Sequence, residues 1–417
     1  MNVNRNEYLN LRICGIDPHK SFCKAVVVDE RTLNTVDEFD FKNNRNGVLS
    51  LIERLRALDC NNVVIENTNN FSAALYITLK RHGFKVASVN PALVPKKRKK
   101  SDRIDAKWLA ISYLYELVEE DYIPPAEIQY LRDLTRLRTK LVGMRSMLKN
   151  KVHALLTRAD IHLSDVFSDI FGRQSIAILN SLAEGLTDAI QNLKVKRNVA
   201  KQVKDAIENS FLELLNCSVL RILLSLIQVF NEEIKRLDQM IAAHIDEHKR
   251  LKKLVKLIMS VPGVGFITAA IIVAEVGDFT RFSDAKKLVG WAGLAPQVSE
   301  SAGKQRNGKI TKRGSPYLRR ALHEVANVIT RSKSPRELYE FYKRISGRSG
   351  RYKAKTALAR KILTIIYHLV VQDEHFESRH EGYKRLHERK VKQFVSLSRA
   401  GRDRLAEWSE SSRQLAG

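Results

Sequence analysis

Four acidic residues in the first third of the chain have the types and spacing of a metal site. Asp17 and Glu66 each end an apolar run, and Asp102 and Asp105 lie three residues apart in a helical pattern. Two neighbouring strands with a helix packed across them would bring all four to one edge of a sheet. Carboxylates that close repel one another unless cations lie between them, and oxygen ligands suit Mg²⁺ or Mn²⁺. The pattern therefore predicts a two-metal site for phosphoryl transfer, the chemistry of nucleases and transposases.

Each acid taken alone has a simpler interpretation as a surface carboxylate or a helix cap. Asp102 follows Ser101 and could only compensate the helix dipole in the first turn. The combination is more specific, because a strand-end Asp, a strand-end Glu and a helical Asp-x-x-Asp in that order match a ribonuclease H-like layout. A basic run precedes Asp102 and would meet a phosphate backbone there, although such a run is usually a solvated loop. Its residues are Lys96, Lys97, Arg98, Lys99 and Lys100.

Two later segments, one with closely spaced glycines and one rich in serine and basic residues, have compositions typical of phosphate-binding loops. Gly263 and Gly265 lie between apolar helices, as in a helix-hairpin-helix turn that opens N–H groups to a phosphate, although simple packing explains a Pro-Gly turn equally well. Further on, cations surround Ser299, Ser301 and Ser315, which predicts a flexible phosphate-binding loop. An isolated serine more often caps a helix or bonds the backbone. The basic residues assigned here to nucleic acid are Lys304, Arg306, Lys309, Lys312, Arg313, Arg319 and Arg320.

The overall composition supports a nucleic-acid partner. The 417 residues include 72 Lys and Arg against 46 Asp and Glu, a net charge of +26 that favours a polyanion as ligand. The length predicts two or three domains. Because no apolar run reaches the length of a membrane span and no signal peptide is evident, we expect a soluble cytoplasmic protein associated with the bacterial nucleoid and not with a membrane. The four scattered cysteines encode neither a zinc knuckle nor a disulfide framework, and we expect them to be buried.

The elements that would position the carboxylates form an α/β domain up to about Glu120, where β-rich runs alternate with helical ones. The predicted strands are Leu11–Asp17, Cys23–Asp29, Val36–Phe41, Asn62–Glu66 and Lys85–Val89. The predicted helices are Gly47–Leu58, Ser72–His82 and one that follows Ser101.

The remainder of the chain is predicted to be mostly helical. Two heptad-like stripes, Leu131–Leu155 and Leu223–Ile245, suit an antiparallel coiled coil or a dimer seam, and a plain helical bundle explains them equally well. From Leu254 the pattern changes to a third domain with helices at Tyr317–Arg331 and Ala354–Val371. The tail is polar and would form a peripheral helix or remain disordered. The predicted domains are 1–122, 123–252 and 253–371, followed by a basic tail, 372–417.

Taken together, the motifs resemble those of the DEDD transposases of the insertion-sequence one-ten family, and the related pilin-gene invertases share the layout. The N-terminal motifs are GIDPHK from Gly15, VIENT from Val64, VNP from Val89 and SDRIDA from Ser101. The later motifs are VPGVG, GWAGLAP, SES and ITKRGSPYLRRAL. The resemblance extends to about Val371.

This resemblance implies a ribonuclease H-like (RuvC-like) first domain, a coiled-coil linker and a mostly helical transposase domain with a catalytic serine. The carboxylates Asp17, Glu66, Asp102 and Asp105 would bind Mg²⁺, and Ser301 would attack DNA to give a phosphoserine intermediate, with Ser299 two residues away. Family members also use a guide (bridge) RNA that pairs with donor and target DNA, and they assemble as dimers and as dimers of dimers on DNA.

The predicted function is accordingly an RNA-guided, Mg²⁺-dependent, site-specific recombinase that moves its own insertion sequence. No Gly-x-x-x-x-Gly-Lys-Ser/Thr loop is present, in accord with a reaction that conserves phosphodiester energy without ATP. Two alternatives stay open. The first is a metal-dependent nuclease or junction resolvase in which water attacks, and the second is a non-catalytic nucleic-acid-binding protein.

Overall fold

The structure, a computed structural model, describes residues 12–67, 70–90, 102–118, 120–185, 197–301, 304–312, 314–376 and 381–416. The chain divides into two compact units, Met1–Ile123 and Pro124–Gly417. The first unit is a mixed α/β sheet domain and the second is mostly helical. This division of secondary structure confirms the predicted α/β start followed by a mostly helical remainder.

The described residues of the first unit form five strands and three helices. They are β1 (Arg12–Pro18), β2 (Phe22–Asp29), β3 (Thr35–Lys42), α1 (Arg45–Ala57), β4 (Asn62–Glu66), α2 (Asn70–Arg81), β5 (Lys85–Val89) and α3 (Asp102–Leu114). Each predicted element of this region is present, with ends that differ by at most two residues. Asn44 caps α1 because its side chain accepts a hydrogen bond from the Gly47 N–H.

The sheet of this unit has the strand order β3-β2-β1-β4-β5. The pairs β1–β2 and β2–β3 are antiparallel, whereas β1–β4 and β4–β5 are parallel. In the parallel pair Ile16 lies opposite Ile65, so the next residues, Asp17 and Glu66, reach the same edge of the sheet.

The two faces of the sheet pack against different helices because strand residues alternate between faces. Cys14 and Ile16 belong to one core with Leu51 of α1 and Leu75 of α2. Ile13 and Val64 belong to the other core, where the neighbouring helical residues are Ala106, Leu109 and Ala110 of α3. Three cysteines are buried as expected, and Cys217 is half-buried.

The second unit contains the remaining elements. The helices are α4 (Ala126–Arg158), α5 (Leu163–Val166), α6 (Arg173–Glu184), α7 (Arg197–Glu208), α8 (Cys217–Glu247), α9 (Lys249–Met259), α10 (Phe266–Val276), α11 (Ala285–Trp291), α12 (Pro316–Ser332), α13 (Arg336–Ser349), α14 (Arg351–Gln372) and α15 (Glu381–Ala416). The strands β6 (Pro296–Ser301) and β7 (Lys304–Ile310) form a separate antiparallel sheet.

The two predicted apolar stripes lie on α4 and α8, which pack against each other in antiparallel orientation. Glu127 at the start of α4 accepts a hydrogen bond from His244 near the end of α8, whereas Arg145 reaches back to Asn231. Leu131 and Ile241 share one core near the start of α4, and Leu155 and Leu220 share another near its end. The dimer seam stays a prediction.

One segment of this unit differs from the sequence-based expectation, and the tail adopts the helical one of its two predicted alternatives. The region around Ser299 and Ser301 was predicted to be a flexible loop, but it forms the β6–β7 hairpin. The hairpin is held by backbone pairing, and its sequence lacks the alternation of apolar residues that would have predicted strands. The tail forms the 36-residue helix α15. It packs on α8 at Gly401, where a β-carbon would lie 2.1 Å from the Gln239 carbonyl oxygen. Its buried Phe394 contacts the ring of Phe266 in α10, with 5.0 Å between centroids.

Within the described ranges, no helix combines the length and apolar character that crossing a membrane requires.

Candidate active site

Asp17 and Glu66 share one edge and one face of the sheet. Residues 13, 15 and 17 alternate onto the face that α3 covers, as do residues 64 and 66. The parallel register makes Asp17 and Glu66 neighbours at the carboxyl ends of β1 and β4. Asp17 is only 8% exposed. Rigid strands therefore fix both carboxylates.

The close approach of α3 to β1 brings a third carboxylate to this edge. A β-carbon on Gly15 would lie 2.0 Å from the Ala106 carbonyl oxygen and 3.1 Å from the Ala110 β-carbon. Both alanines are fully buried. Glycine at position 15 thus lets the helix backbone lie on the strand, and Asp105, adjacent to Ala106, comes with it.

The pKa of Glu66 responds to its burial and to two neighbouring carboxylates. Burial raises the pKa of Glu66, and the negative charges of Asp17 and Asp105 raise it further, whereas His19 acts in the opposite direction. Three oxygen-donor side chains that repel one another form a donor set suited to a hard divalent cation. The structure therefore places Asp17 and Glu66 at one edge of the sheet, with Asp105 near enough for its charge to act on Glu66.

The fourth predicted carboxylate is described only in its backbone. Asp102 begins α3, three residues before Asp105, so the two α-carbons lie on one side of the helix. Its side chain lies outside the described residues, as does the whole basic run Lys96–Lys100.

His19 is a residue of this site that the sequence analysis missed. Its Nε2 lies 3.4 Å from Oδ2 of Asp17. Its backbone N–H donates to the Phe22 carbonyl oxygen at 2.9 Å, and its own carbonyl oxygen accepts from Nδ2 of Asn43 at 2.8 Å. The imidazole also contacts the Phe22 ring, with 5.0 Å between centroids. The available signal was its position two residues after Asp17.

Asn67 and Asp121 form a second contact that the sequence analysis missed. Nδ2 of Asn67 donates to Oδ2 of Asp121 at 2.9 Å, and the Asn67 backbone N–H donates to the Val89 carbonyl oxygen at 2.8 Å. The Asp121 N–H in turn bonds Ser88. The contact fixes the residue after Glu66 to the end of β5. No local pattern could reveal it, since 54 positions separate its two side chains.

The Val261–Gly265 turn of the second unit joins α9 to α10. Gly263 has a φ of +82° and packs on α12, where a β-carbon would lie 3.2 Å from Cγ1 of Val325. Gly265 caps the N-terminus of α10, and a β-carbon there would meet nothing within 4 Å. The packing interpretation thus fits Gly263, and the open surroundings of Gly265 suit the predicted phosphate contact.

The hairpin that carries the predicted nucleophile has a defined backbone register. Ser301 ends β6 opposite Lys304, and Ser299 lies opposite Arg306. The side chains of these four residues lie outside the described part of the structure.

The other predicted phosphate contacts differ in their surroundings. Lys309 and Lys312 are exposed, Arg320 pairs with Glu324 at 3.0 Å, and Arg313 lies outside the described residues. Arg319 donates to the carbonyl oxygens of Ala292 and Gly314 and is partly buried, which lowers its pKa. Its role in nucleic-acid binding stays a prediction. Ser315 caps α12, since its Oγ accepts from the Leu318 N–H at 3.2 Å.

Two family models match separate ranges of the chain. Residues 255–343 match a family model described as "Transposase IS116/IS110/IS902 family". Residues 14–160 match a second model, described as a transposase and named for the DEDD transposases of IS110. This second range contains all four predicted carboxylates.

Curated relatives give the same indication. A "Probable family 20 transposase" of Pseudomonas aeruginosa is 30% identical over 212 residues, 50% of this chain and 54% of that protein. The "Transposase for insertion sequence element IS1111A" of Coxiella burnetii is 26% identical over 67% of this chain and 68% of its own length. The "Pilin gene-inverting protein" of Moraxella bovis is 30% identical over 39% of this chain and 49% of its own length. The chain thus spans about half the length of the first and third of these relatives. The matches to both family models show that it belongs to the IS116/IS110/IS902 family of transposases.

Proposed function

We propose that this chain is a DNA transposase that cuts and rejoins strands at the ends of an insertion sequence. The observation that carries the proposal is the placement of Asp17 and Glu66 at the carboxyl ends of adjacent parallel strands, with Asp105 on the helix α3 that packs across them. The names of the relatives support DNA movement as the outcome of the reaction.

The first unit is proposed to have a ribonuclease H-like fold of the RuvC type. Its strand order β3-β2-β1-β4-β5, with three antiparallel strands followed by two parallel ones, supports this assignment. So does the position of Asp17 and Glu66 at the carboxyl ends of adjacent parallel strands, with α3 packed across them.

Asp17, Glu66 and Asp105, together with Asp102, would hold Mg²⁺ or Mn²⁺. Such ions lower the pKa of an attacking hydroxyl and neutralise charge that develops on the phosphorane-like transition state. The protein contributes a fixed array of negative charges on β1, β4 and α3. His19 keeps the Asp17 carboxylate oriented, and Asn67 fixes the backbone after Glu66.

Ser301 is proposed as the nucleophile. Its hydroxyl oxygen would form a bond to a backbone phosphorus while the bond from that phosphorus to the departing strand oxygen breaks, leaving a phosphoserine. A strand hydroxyl then reverses the linkage, so the phosphodiester energy is conserved. Lys304, Arg306, Lys309 and Lys312, on or next to the same hairpin, would bind the neighbouring phosphates.

A guide RNA and a homo-oligomer complete the proposal. The net charge of +26 supports binding of more than one polyanion. Exposed apolar residues on the α4–α8 pair support a dimer seam there, and a dimer of dimers on DNA would follow. These residues are Leu137, Met144, Met147, Ile222, Leu226 and Val229.

Trapping of a covalent adduct tests this function. Purified protein, Mg²⁺, the element's junction DNA and its flanking transcript are combined, and the products are separated under denaturing conditions beside Ser301→Ala and Asp17→Ala. We expect a protein–DNA adduct with the wild type alone. Cleavage that gives no adduct and persists in Ser301→Ala would instead identify a nuclease that uses water. DNA binding without cleavage that needs no divalent metal and is unchanged in both variants would indicate a binding protein.

A further inference from the structure

A group of side chains that could hold a metal ion lies in the second unit, where α8 turns into α9. His244, Glu247 and His248 lie at positions i, i+3 and i+4, and one ligand atom from each lies within 4.8 Å of the other two. Glu247 ends α8, Lys249 begins α9, and His248 is the cap residue between the two helices. The three side chains therefore come from one short segment, which has no part in the proposed transposition chemistry.

Backbone carbonyls orient both imidazoles and leave one nitrogen of each with a lone pair. Nε2 of His244 lies 2.8 Å from the Glu127 carbonyl oxygen, and Nδ1 of His248 lies 2.8 Å from the His244 carbonyl oxygen. A carbonyl only accepts hydrogen bonds, so each of these nitrogens carries the proton. Nδ1 of His244 and Nε2 of His248 then have the lone pairs. Metal-binding histidines are commonly held in this way.

The charges around this corner leave Glu247 available as a ligand. The neighbouring Asp246 is bonded to Lys252 and Arg402, so its carboxylate is already used. Two other cations of α9 are also paired with acids, Arg250 with Asp278 and Lys253 with Asp373. These pairs reduce the positive field that a bound cation would meet. Glu247 itself is exposed, whereas the His244 residue is only 8% exposed.

We propose that His244, Glu247 and His248 form a binding site for a borderline divalent cation of the Zn²⁺, Co²⁺ or Ni²⁺ class. Two imidazoles and one carboxylate suit these ions and disfavour Mg²⁺, which prefers oxygen ligands. Three protein ligands leave a coordination position for water or an added ligand. Because His244 also bonds Glu127, the bound ion joins the α8–α9 corner to the first turn of α4.

The test is a titration of the full-length protein with Co²⁺, followed by its visible absorption, in excess Mg²⁺ to occupy the carboxylate site of the first unit. We expect one equivalent of Co²⁺ to bind with a spectrum typical of nitrogen ligation. His248→Gln should weaken this binding about 100-fold and Glu247→Gln about 10-fold or more. Glu247 is exposed and His248 is half-buried, and circular dichroism checks that both variants fold.

His162→Gln is the matched control. His162 is exposed and lies 2.8 Å from Asp160, so it is another histidine beside a carboxylate, and its removal should leave the Co²⁺ spectrum and affinity unchanged. Competition by Zn²⁺ but not by further Mg²⁺ is expected. The proposal would be overturned if the wild type did not bind Co²⁺ in this way, or if His248→Gln bound Co²⁺ as tightly as the wild type.

Discussion

The Ala106 carbonyl oxygen lies 2.0 Å from the point that a β-carbon on Gly15 would occupy, so β1 and α3 are in backbone contact. This contact makes the position of Asp105 depend on the residue at position 15. The proposed metal site therefore depends on a glycine that has no side chain to contribute to it.

Gly15→Ala should displace α3 and disrupt the site. The added methyl group overpacks a buried contact, which costs about 1–3 kcal/mol in the free energy of unfolding, and strand cleavage should fall about 100-fold. Gly143→Ala is the control, because Gly143 lies inside α4 with nothing within 4 Å of its β-carbon position. That change should be neutral or slightly stabilising. Urea unfolding and a cleavage assay measure both variants, and full activity in Gly15→Ala would contradict the proposed role of the contact.

Glu66→Gln should stabilise the metal-free protein at neutral pH while abolishing cleavage. The pKa of Glu66 is raised in the folded state, so its contribution to stability is present below the ordinary glutamate pKa and is lost as the pH rises through the raised value. Glutamine stays neutral and removes this loss. Unfolding of wild type and variant in chelator at acidic and neutral pH measures the effect.

Glu53→Gln serves as the control for this comparison, since Glu53 is exposed on α1. It should leave the pH dependence of stability unchanged. A Glu66→Gln variant that is less stable than wild type at neutral pH without metal would show that burial and the neighbouring carboxylates do not disfavour the charged form of this residue.

His19→Gln should reduce cleavage without abolishing it. The imidazole orients Asp17 and is not itself one of the proposed ligands, so a loss of about 10–100-fold is expected, with a higher Mg²⁺ concentration needed for half-maximal activity. The shift in metal dependence distinguishes orientation of a ligand from a general loss of structure. His162→Gln, which alters another His–Asp pair, should have neither effect. Unaltered Mg²⁺ dependence in His19→Gln would count against this role.

Arg136→Ala should destabilise the second unit. The guanidinium makes two hydrogen bonds of 2.8 Å to Glu275, whose side chain is 2% exposed, and the substitution leaves that carboxylate buried without its cation. We expect a loss of about 2–3 kcal/mol in urea unfolding. Lys204→Ala, which removes an exposed ion pair with Glu208, should cost less than about 0.5 kcal/mol. Equal effects of the two changes would contradict this account of the α4–α10 contact.

The sequence predicted the first unit well because local patterns determine it. The apolar runs ending at Asp17 and Glu66 and the turn residues between elements indicated the strands, and the order of the acids indicated the common edge. The contact between Asn67 and Asp121 could not be predicted, because it depends on two segments brought together by the sheet.

The second unit was harder to predict for the same reason. The heptad spacing of α4 and α8 indicated the helices but not their partner. The packing of α15 depends on single residues such as Gly401. The need for glycine there becomes clear only from its contact with the Gln239 backbone. The β6–β7 hairpin is formed by backbone pairing among polar residues, so composition indicated a loop.

The most direct test of the proposed catalytic metal site compares Mg²⁺-dependent strand cleavage and DNA binding in the wild type, Asp17→Asn, Glu66→Gln and Asp105→Asn. Each substitution removes one negative charge and nearly preserves side-chain shape. We expect each variant to lose cleavage by about 100-fold or more while binding DNA with nearly unchanged affinity. Cleavage retained in any of the three variants would contradict a catalytic metal site built from these carboxylates.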